Sequence, residues 1–238
     1  MNSFVVLSRT EGEENIGFAA RAMKNFGLEK LVLVNPKASH LSGLAKSRAM
    51  HAKEILANAK TVKTLKEALK AADFSVAVTA RPLRARKGIK GFSTPKELAE
   101  KFVGTNASVA LVFGNEKNGL GAEEVGQCDF MLSIPSSRKY FSLNLSHAVV
   151  IVLYELFKAK KSAEPRAEKT AKRKIKRALL ERFSDLADAS GSIDDKKEVM
   201  RSFKALVARS PITEKEAKAV LAVLSEAGKS LALRKGKS

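Results

Sequence analysis

The sequence predicts an α/β domain, a mostly parallel sheet with helices on both faces, followed by a small all-α domain. Three observations predict it. Short apolar runs alternate with helically spaced segments over about 155 residues, the pattern of strand–crossover–strand units. The internal runs are near-continuous in apolar residues, as in strands covered on both sides. After Phe157 no strand pattern remains.

The elements follow in order. "SFVVLSRT" opens with a strand. In "NIGFAARAMKNFG", Ile16, Ala19, Ala20, Met23 and Phe26 recur at helical spacing, and Gly27 fits the position just past a helix C-terminus. "KLVLVNP" is the next strand. "LAKSRAMHAKEILANA" and "TLKEALKAA" read as helices, and "DFSVAVTA" as a strand. A basic loop from Arg81 to Gly91 leads to the helix "TPKELAEKFV". The strand "SVALVFG" ends in the turn "NEKNGLG", followed by the helix "AEEVGQ", the strand "DFMLSI" and the polar turn "PSSRKYFSLNLS". The apolar helix "HAVVIVLYELF" closes the domain, giving boundaries of 1–158. Residues 159–174 read as a basic linker running into a helix, and 175–238 as the helical domain. There Asp195 with Glu198 and Thr213 with Glu216 fit capping boxes, and Val199, Phe203, Leu206 and Val207 mark one buried face.

Composition bounds the partners. Apolar residues make up 45% of the 238 and charged residues 29%, enough for a packed core. No apolar run approaches the ~20 residues of a membrane helix, and "MNSFVVLSRTEGEEN" lacks the features of a secretion signal. One cysteine, Cys128, excludes an internal disulfide framework and suits a reducing cytoplasm. His40, His51 and His147 are scattered, so no metal site is expected. The formal charge is +19, which attracts polyanions such as RNA. Residues 1–160 carry 24 Lys and Arg against 14 Asp and Glu, a net of +10. Residues 161–238 carry 20 against 11, +9 on half the length. The clusters expected to meet RNA phosphates are Arg81, Arg84, Arg86, Lys87 and Lys90 in one loop, Lys172, Arg173, Lys174, Lys176 and Arg177 in another segment, and Arg9.

Several site chemistries fail on inspection. Gly114 and Gly119 have P-loop spacing, but Leu120 and Gly121 stand where that motif needs Lys and Ser or Thr. No G-x-G-x-x-G follows a strand, and no G-x-S-x-G elbow exists. A Gly-rich turn holding Glu116 remains, either a plain turn or a ligand loop beyond a strand's carboxyl end.

Three segments taken together, "ENIGFAARAMKNFG", "LVFGNEKNGLG" and "IPSSRKYFSLNLSHAVVIVLYE", resemble the SPOUT class of RNA methyltransferases and, within it, the TrmH-like 2′-O-methyltransferases. The first matches through Asn15, Gly17, Arg21, Phe26 and Gly27; the second through Gly114, Glu116, Gly119 and Leu120; the third through Ile134, Pro135, Ser142, Leu143, Asn144, Ser146 and Ala148. The turn "TARPLRAR" and the basic appendage look most like the TrmJ branch, which acts on the tRNA anticodon loop.

The resemblance implies a trefoil knot at the end of the sheet, a homodimer, and a pocket for S-adenosylmethionine (SAM). Its implied pocket residues are Thr79, Ala80, Arg81, Gly114, Asn115, Glu116, Gly119, Ile134, Pro135, Ser142, Leu143, Asn144 and Ser146. The implied catalytic group is Arg21, supporting a ribose alkoxide or positioning the adjacent phosphate, with Asn15 orienting Arg21 or the helix start. Glu116 holds the Gly-rich loop or pairs with Arg21, and Ser142 lies near the target ribose. Ser146 is expected as the cap of the last helix, and Gly114 as a point of close backbone approach. The implied reaction is 2′-O-methylation of tRNA, at nucleotide 32. A ribosomal RNA substrate, base methylation and a non-catalytic RNA-binding scaffold stay open.

Overall fold

The computed structural model describes residues 2–80, 90–92, 94–162, 170–190, 193–209 and 212–235, and divides into two compact units, Met1–Pro165 and Arg166–Ser238. The first unit is built on seven strands, β1 (Asn2–Ser8), β2 (Leu31–Val34), β3 (Lys60–Val62), β4 (Phe74–Thr79), β5 (Lys90–Phe92), β6 (Ser108–Phe113) and β7 (Phe130–Ser133). Its helices are α1 (Glu13–Asn25), α2 (Gly43–Ala49), α3 (Lys53–Ala57), α4 (Leu65–Leu69), α5 (Pro95–Phe102), α6 (Ala122–Gln127) and α7 (Leu145–Lys161).

The strands lie in the order β3-β2-β1-β6-β4-β7-β5, and every described pair is parallel. The chain first builds outward from β1 to β3, then returns to the other side and places β6 between β1 and β4. In register, Val6 faces Val32 on one side and Val112 on the other, and Ala77 continues the row.

Alternation of side chains across the pleat gives the sheet two buried faces. Phe4, Val6, Val32, Val34, Ala77, Ala110 and Val112 pack on one face against Leu65 and Leu69 of α4 and Val125 of α6. On the opposite parity, Phe74 meets Phe102 of α5 at 4.9 Å between centroids, and Phe130 closes the trio at 5.8 Å from Phe102. Helices α5, α7 and α1 pack side by side there, and α1 packs on α2. That last contact needs Gly17, where a Cβ would lie 2.3 Å from the Ala45 carbonyl oxygen.

Three sequence expectations need correction. Two strands were not expected: β3 and β5, at the two edges of the sheet, are three residues each and hold one apolar side chain apiece, too few to stand out as apolar runs. Lys90 and Gly91, expected in a loop, pair with β7. The helix expected through residues 44–59 is broken: a 3-10 turn at Met50–Ala52 separates α2 from α3, with Met50 at φ 52°. Gly27 takes φ 70° just past α1, as its position predicts.

The second unit holds α8 (Arg173–Ser190), α9 (Lys196–Arg209) and α10 (Glu214–Lys235). Ala171, Leu179 and Ala217 form its core, with Ile175, Ile212, Leu221 and Leu224 packed around them. Phe183 stacks on Phe203 at 3.8 Å. The Thr213–Glu216 capping box is complete, with Glu216 N donating to Thr213 Oγ1 at 3.2 Å and Thr213 N donating to Glu216 Oε2 at 2.7 Å. Asp195 Oδ1 accepts from Glu198 N at 2.9 Å.

Candidate functional site

Helix α1 begins at a glycine. Gly12 is its N-cap residue and has no side chain to satisfy the free amides of the first turn. The entry to the helix is anchored from 104 residues further on: Glu116 Oε1 accepts from Gly12 N at 3.1 Å, and Oε2 accepts from Glu11 N at 3.1 Å. A carboxylate also suits the positive end of a helix. Asn15 Nδ2 donates to the same Glu116 Oε1 at 2.9 Å. Asn144 Nδ2 in turn donates to Asn15 Oδ1 at 3.0 Å. Asn144 Oδ1 accepts from Ser146 N at 2.8 Å and from Ser146 Oγ at 2.7 Å. One hydrogen-bonded chain therefore runs from the start of α7 to the start of α1 and joins all three sequence motifs.

This chain corrects one expected role and decides between the alternatives for two others. Asn144, not Ser146, caps α7. Asn15 orients the start of α1 and not Arg21. Glu116 binds α1's first turn and not Arg21. Arg21 itself is exposed on α1 and makes no hydrogen bond or ion pair among the described residues.

The Gly-rich turn is braced from within and from β1. Asn115 Oδ1 accepts from Asn118 N at 2.7 Å, and the Asn115 carbonyl accepts from Gly119 N at 3.0 Å. Gly114 is required here, but by its own turn: a Cβ would sit 2.0 Å from the Gly119 carbonyl carbon. Gly119 takes φ 64°, open to glycine at little cost. Arg9, at the end of β1, holds φ 54°, an uncommon conformation for a residue with a Cβ. Its Nη2 pairs with Glu124 Oε2 at 2.5 Å and donates to the Gly119 carbonyl at 3.3 Å. The buried Ser8 hydroxyl donates to Glu124 Oε1 at 2.5 Å, and Gly121 N donates to Oε2 at 2.7 Å. Arg9, expected to face RNA, is thus a clamp on this turn.

Beyond the carboxyl ends of β4, β6 and β7 lies a cavity of about 970 Å³. Of the expected pocket residues, Thr79, Ala80, Gly114, Asn115, Glu116, Gly119, Ile134, Ser142 and Leu143 line it. Pro135, Asn144 and Ser146 do not; the two polar residues support the wall from behind through α7. The sequence reading missed Lys117, Asn118, Met131, Phe141 and Leu145 and named Leu120 only as a motif position; all six line the cavity. Each is within a few residues of a motif position, and that proximity was the available signal. The lining combines apolar side chains such as Val78, Met131, Ile134 and Leu143 with the polar side chains of Thr79, Asn115, Glu116, Lys117, Asn118 and Ser142.

Lys117, at the cavity, pairs with Glu11 at 2.9 Å, and Lys37 pairs with the other oxygen at 2.8 Å. The Lys37 hydrogen bond, then that of Lys117, holds the Glu11 carboxyl down at about 2, and the bond to Glu11 raises Lys117 above its ordinary range.

The expected RNA contacts divide. Arg81, Arg84, Arg86 and Lys87 lie outside the described residues, as does the side chain of Lys90. Lys172 and Lys174 are exposed and Arg173 is half-buried, while Arg177 pairs with Glu181 at 2.9 Å. Lys176 is 7% exposed, which takes it off the surface open to phosphate. Among the described residues no group of His, Cys, Asp or Glu gathers as a metal site requires. No described helix is long and apolar enough to cross a membrane.

Residues 2–154 match the model of the SpoU rRNA Methylase family. A tRNA (cytidine-2′-O-)-methyltransferase, TrmJ, of Methanocaldococcus jannaschii is 38% identical over 221 residues, 90% of this chain and 94% of that one. The crystal structure of TrmJ from Z. mobilis ZM4 superposes with a TM-score of 0.71 at 28% identity, over 95% of this chain and 99% of that chain. A probable methylase family protein from Haemophilus influenzae superposes at 0.63 and 32% identity, with 98% of both chains covered.

Proposed function

We propose that this chain, which belongs to the SpoU rRNA methylase family, transfers a methyl group from SAM to a ribose 2′-oxygen of tRNA. The observation that carries the reading is the chain of bonds Ser146–Asn144–Asn15–Glu116, which fixes three distant segments around one cavity. The similarity to the Methanocaldococcus TrmJ spans nearly the whole of both chains and supports tRNA as the substrate.

The residues present fit SAM. The open space beside Gly119 admits a ligand against the backbone. Ile134, Leu143 and Met131 offer apolar contact to an adenine ring, and the backbone around Thr79 and Ala80 offers polar groups at its edge. When bound, SAM supplies an electrophilic methyl group on a sulfonium. The remaining work falls to this chain. The Glu116 and Asn15 bonds hold the turn and the start of α1 at fixed separation, so that donor and acceptor are oriented before reaction. Ser142, exposed at the cavity wall, is placed to hydrogen-bond the ribose.

Arg21 does not line the cavity, so in this reading it reaches the ribose at the junction with a second copy of the chain. Phe18 of α1 and Val150 and Tyr154 of α7 are exposed apolar side chains that suit such a contact. There the guanidinium stabilises the developing alkoxide or seats the neighbouring phosphate, since its high pKa opposes proton abstraction. Knotted threading of the turns that wall the cavity, a cytoplasmic site of action and a target in the anticodon loop, at nucleotide 32, complete the reading.

Incubating the protein with unmodified tRNA and labelled SAM, then mapping the alkali-resistant linkage, tests it. A label resistant to alkaline cleavage at one loop nucleotide is expected; label on a base, or on ribosomal RNA alone, overturns it. Arg21→Ala is expected to abolish single-turnover transfer with SAM binding unchanged.

A further inference from the structure

Tyr140 is 79% exposed, the most exposed large apolar side chain among the described residues. It is not on a slack strand. Tyr140 N donates to the Ser137 carbonyl at 3.2 Å, Lys139 N to Ser137 Oγ at 3.3 Å, and Ser136 Oγ to the Phe141 carbonyl at 3.2 Å. This turn holds the ring out beside Phe141, which is 48% exposed and lines the cavity. Arg138 and Lys139 precede it, both exposed, and residues 130–154 contain no Asp or Glu.

An exposed aromatic ring on its own needs no function. Here the ring is next in the chain to a residue that lines a cavity, two cations precede it, and no acid lies near it in the chain. Single-stranded nucleic acid binds where aromatic faces alternate with cations, because every base has a π-face and every linkage a phosphate. We infer that Tyr140 is a stacking platform for an unpaired nucleobase next to the reacting ribose, with Arg138 and Lys139 holding the flanking phosphates. The inference rests on the RNA methylation reading and adds a base-binding subsite to it. It also requires the RNA to present unpaired bases at the site, as a loop does.

The composition provides a direct probe. The chain has no Trp and two Tyr, Tyr140 and Tyr154. Tyr154→Phe keeps the ring that meets Phe26 edge-on at 6.2 Å and leaves Tyr140 as the sole tyrosine emitter. Titrating this variant with a short unstructured oligoribonucleotide is expected to quench its emission. The same oligomer with abasic sites binds through phosphates and is expected to quench far less. Tyr140→Ala is expected to raise KM for tRNA by roughly 5- to 100-fold, and Tyr140→Phe to restore it, with SAM binding constant in calorimetry. Equal quenching by the two oligomers, or a Tyr140→Ala variant with wild-type KM, overturns the platform. SAM binding without base-dependent quenching overturns the platform and leaves the methylation reading standing. Base-dependent quenching in a protein that takes no SAM overturns the methylation reading and supports the platform.

Discussion

The two units spend their polar side chains differently. In the α/β unit, Glu116 reaches Gly12 and Asn15 over more than a hundred residues, Asn144 reaches Asn15 over 129, and Arg9 reaches Glu124 over 115. In the helical tail, Arg177 pairs with Glu181, Arg182 with Asp185, Lys229 with Glu226 and Lys196 with Asp188, none more than eight residues apart. The first kind of bond fixes where one turn lies relative to another. The second steadies a helix, or joins one helix to the next, and leaves the outer face charged. A site for chemistry needs the former; a surface that attracts a polyanion needs only the latter.

The largest expected effect breaks the contrast at its centre. Glu116→Ala leaves two backbone amides and the Asn15 amide without their acceptor, at a cost of about 3 kcal/mol. Thermal unfolding should fall by roughly 6–12 °C, and SAM binding should be lost, because the start of α1 and the Gly-rich turn separate. Glu181→Ala in the tail removes an exposed helix pair and should cost less than ~0.5 kcal/mol. Comparable melting shifts in the two variants would erase the distinction.

The tail's own prediction concerns salt. Neutralising Lys172, Arg173 and Lys174 together, each to Gln, should weaken tRNA binding by roughly tenfold or more and flatten the log–log salt slope by up to about two units. Lys176→Gln is the matched control. Because Lys176 is buried, its substitution should lower stability and leave the salt slope unchanged. An altered slope for Lys176→Gln would return that residue to the RNA face.

Third comes the clamp. A double-mutant cycle of Arg9→Ala and Glu124→Ala should give a coupling of about 1 kcal/mol, since Glu124 is 15% exposed but Arg9 is 38% exposed and partly screened. Coupling near zero would make Arg9 an ordinary surface arginine after all.

The legibility of the sequence follows the same divide. Strands such as "LVLV" and "VALVF" are visible because both of their faces are buried, so every residue is apolar. The edge strand Lys60–Val62 has two exposed residues and leaves no such trace. Motif residues could be named from their types and spacing, yet their partners could not. Nothing local to Glu116 says that Gly12 lacks a cap, and nothing in "SRT" says that Arg9 bends toward Glu124. Capping in the tail was readable, because Thr213 and Glu216 are three residues apart. Long-range pairings are set by the threading of the chain, and apolar periodicity carries no information about that.

The smallest expected effect asks what the contrast is made of. Glu11 and Lys117 are far apart in sequence; Lys117 is exposed and Glu11 partly buried, with Lys37 on the other oxygen. The Glu11 carboxyl stands at about 2 against an ordinary 4.5. A depressed carboxylate adds stability that is complete above about 4.5 and is lost as pH falls toward 2. Side-chain NMR should show Glu11 titrating near 2 at low salt, moving up toward 4.5 in ~1 M salt. Lys37→Ala should move it further than Lys117→Ala, since the Lys37 bond is the larger cause. Acid unfolding in that window should shift only slightly and should lose the shift in salt, as for the tail's pairs. If it does, backbone-amide donors, not sequence separation, make the Glu116 and Glu124 bonds strong. A salt-resistant Glu11 would put chain separation back as the cause.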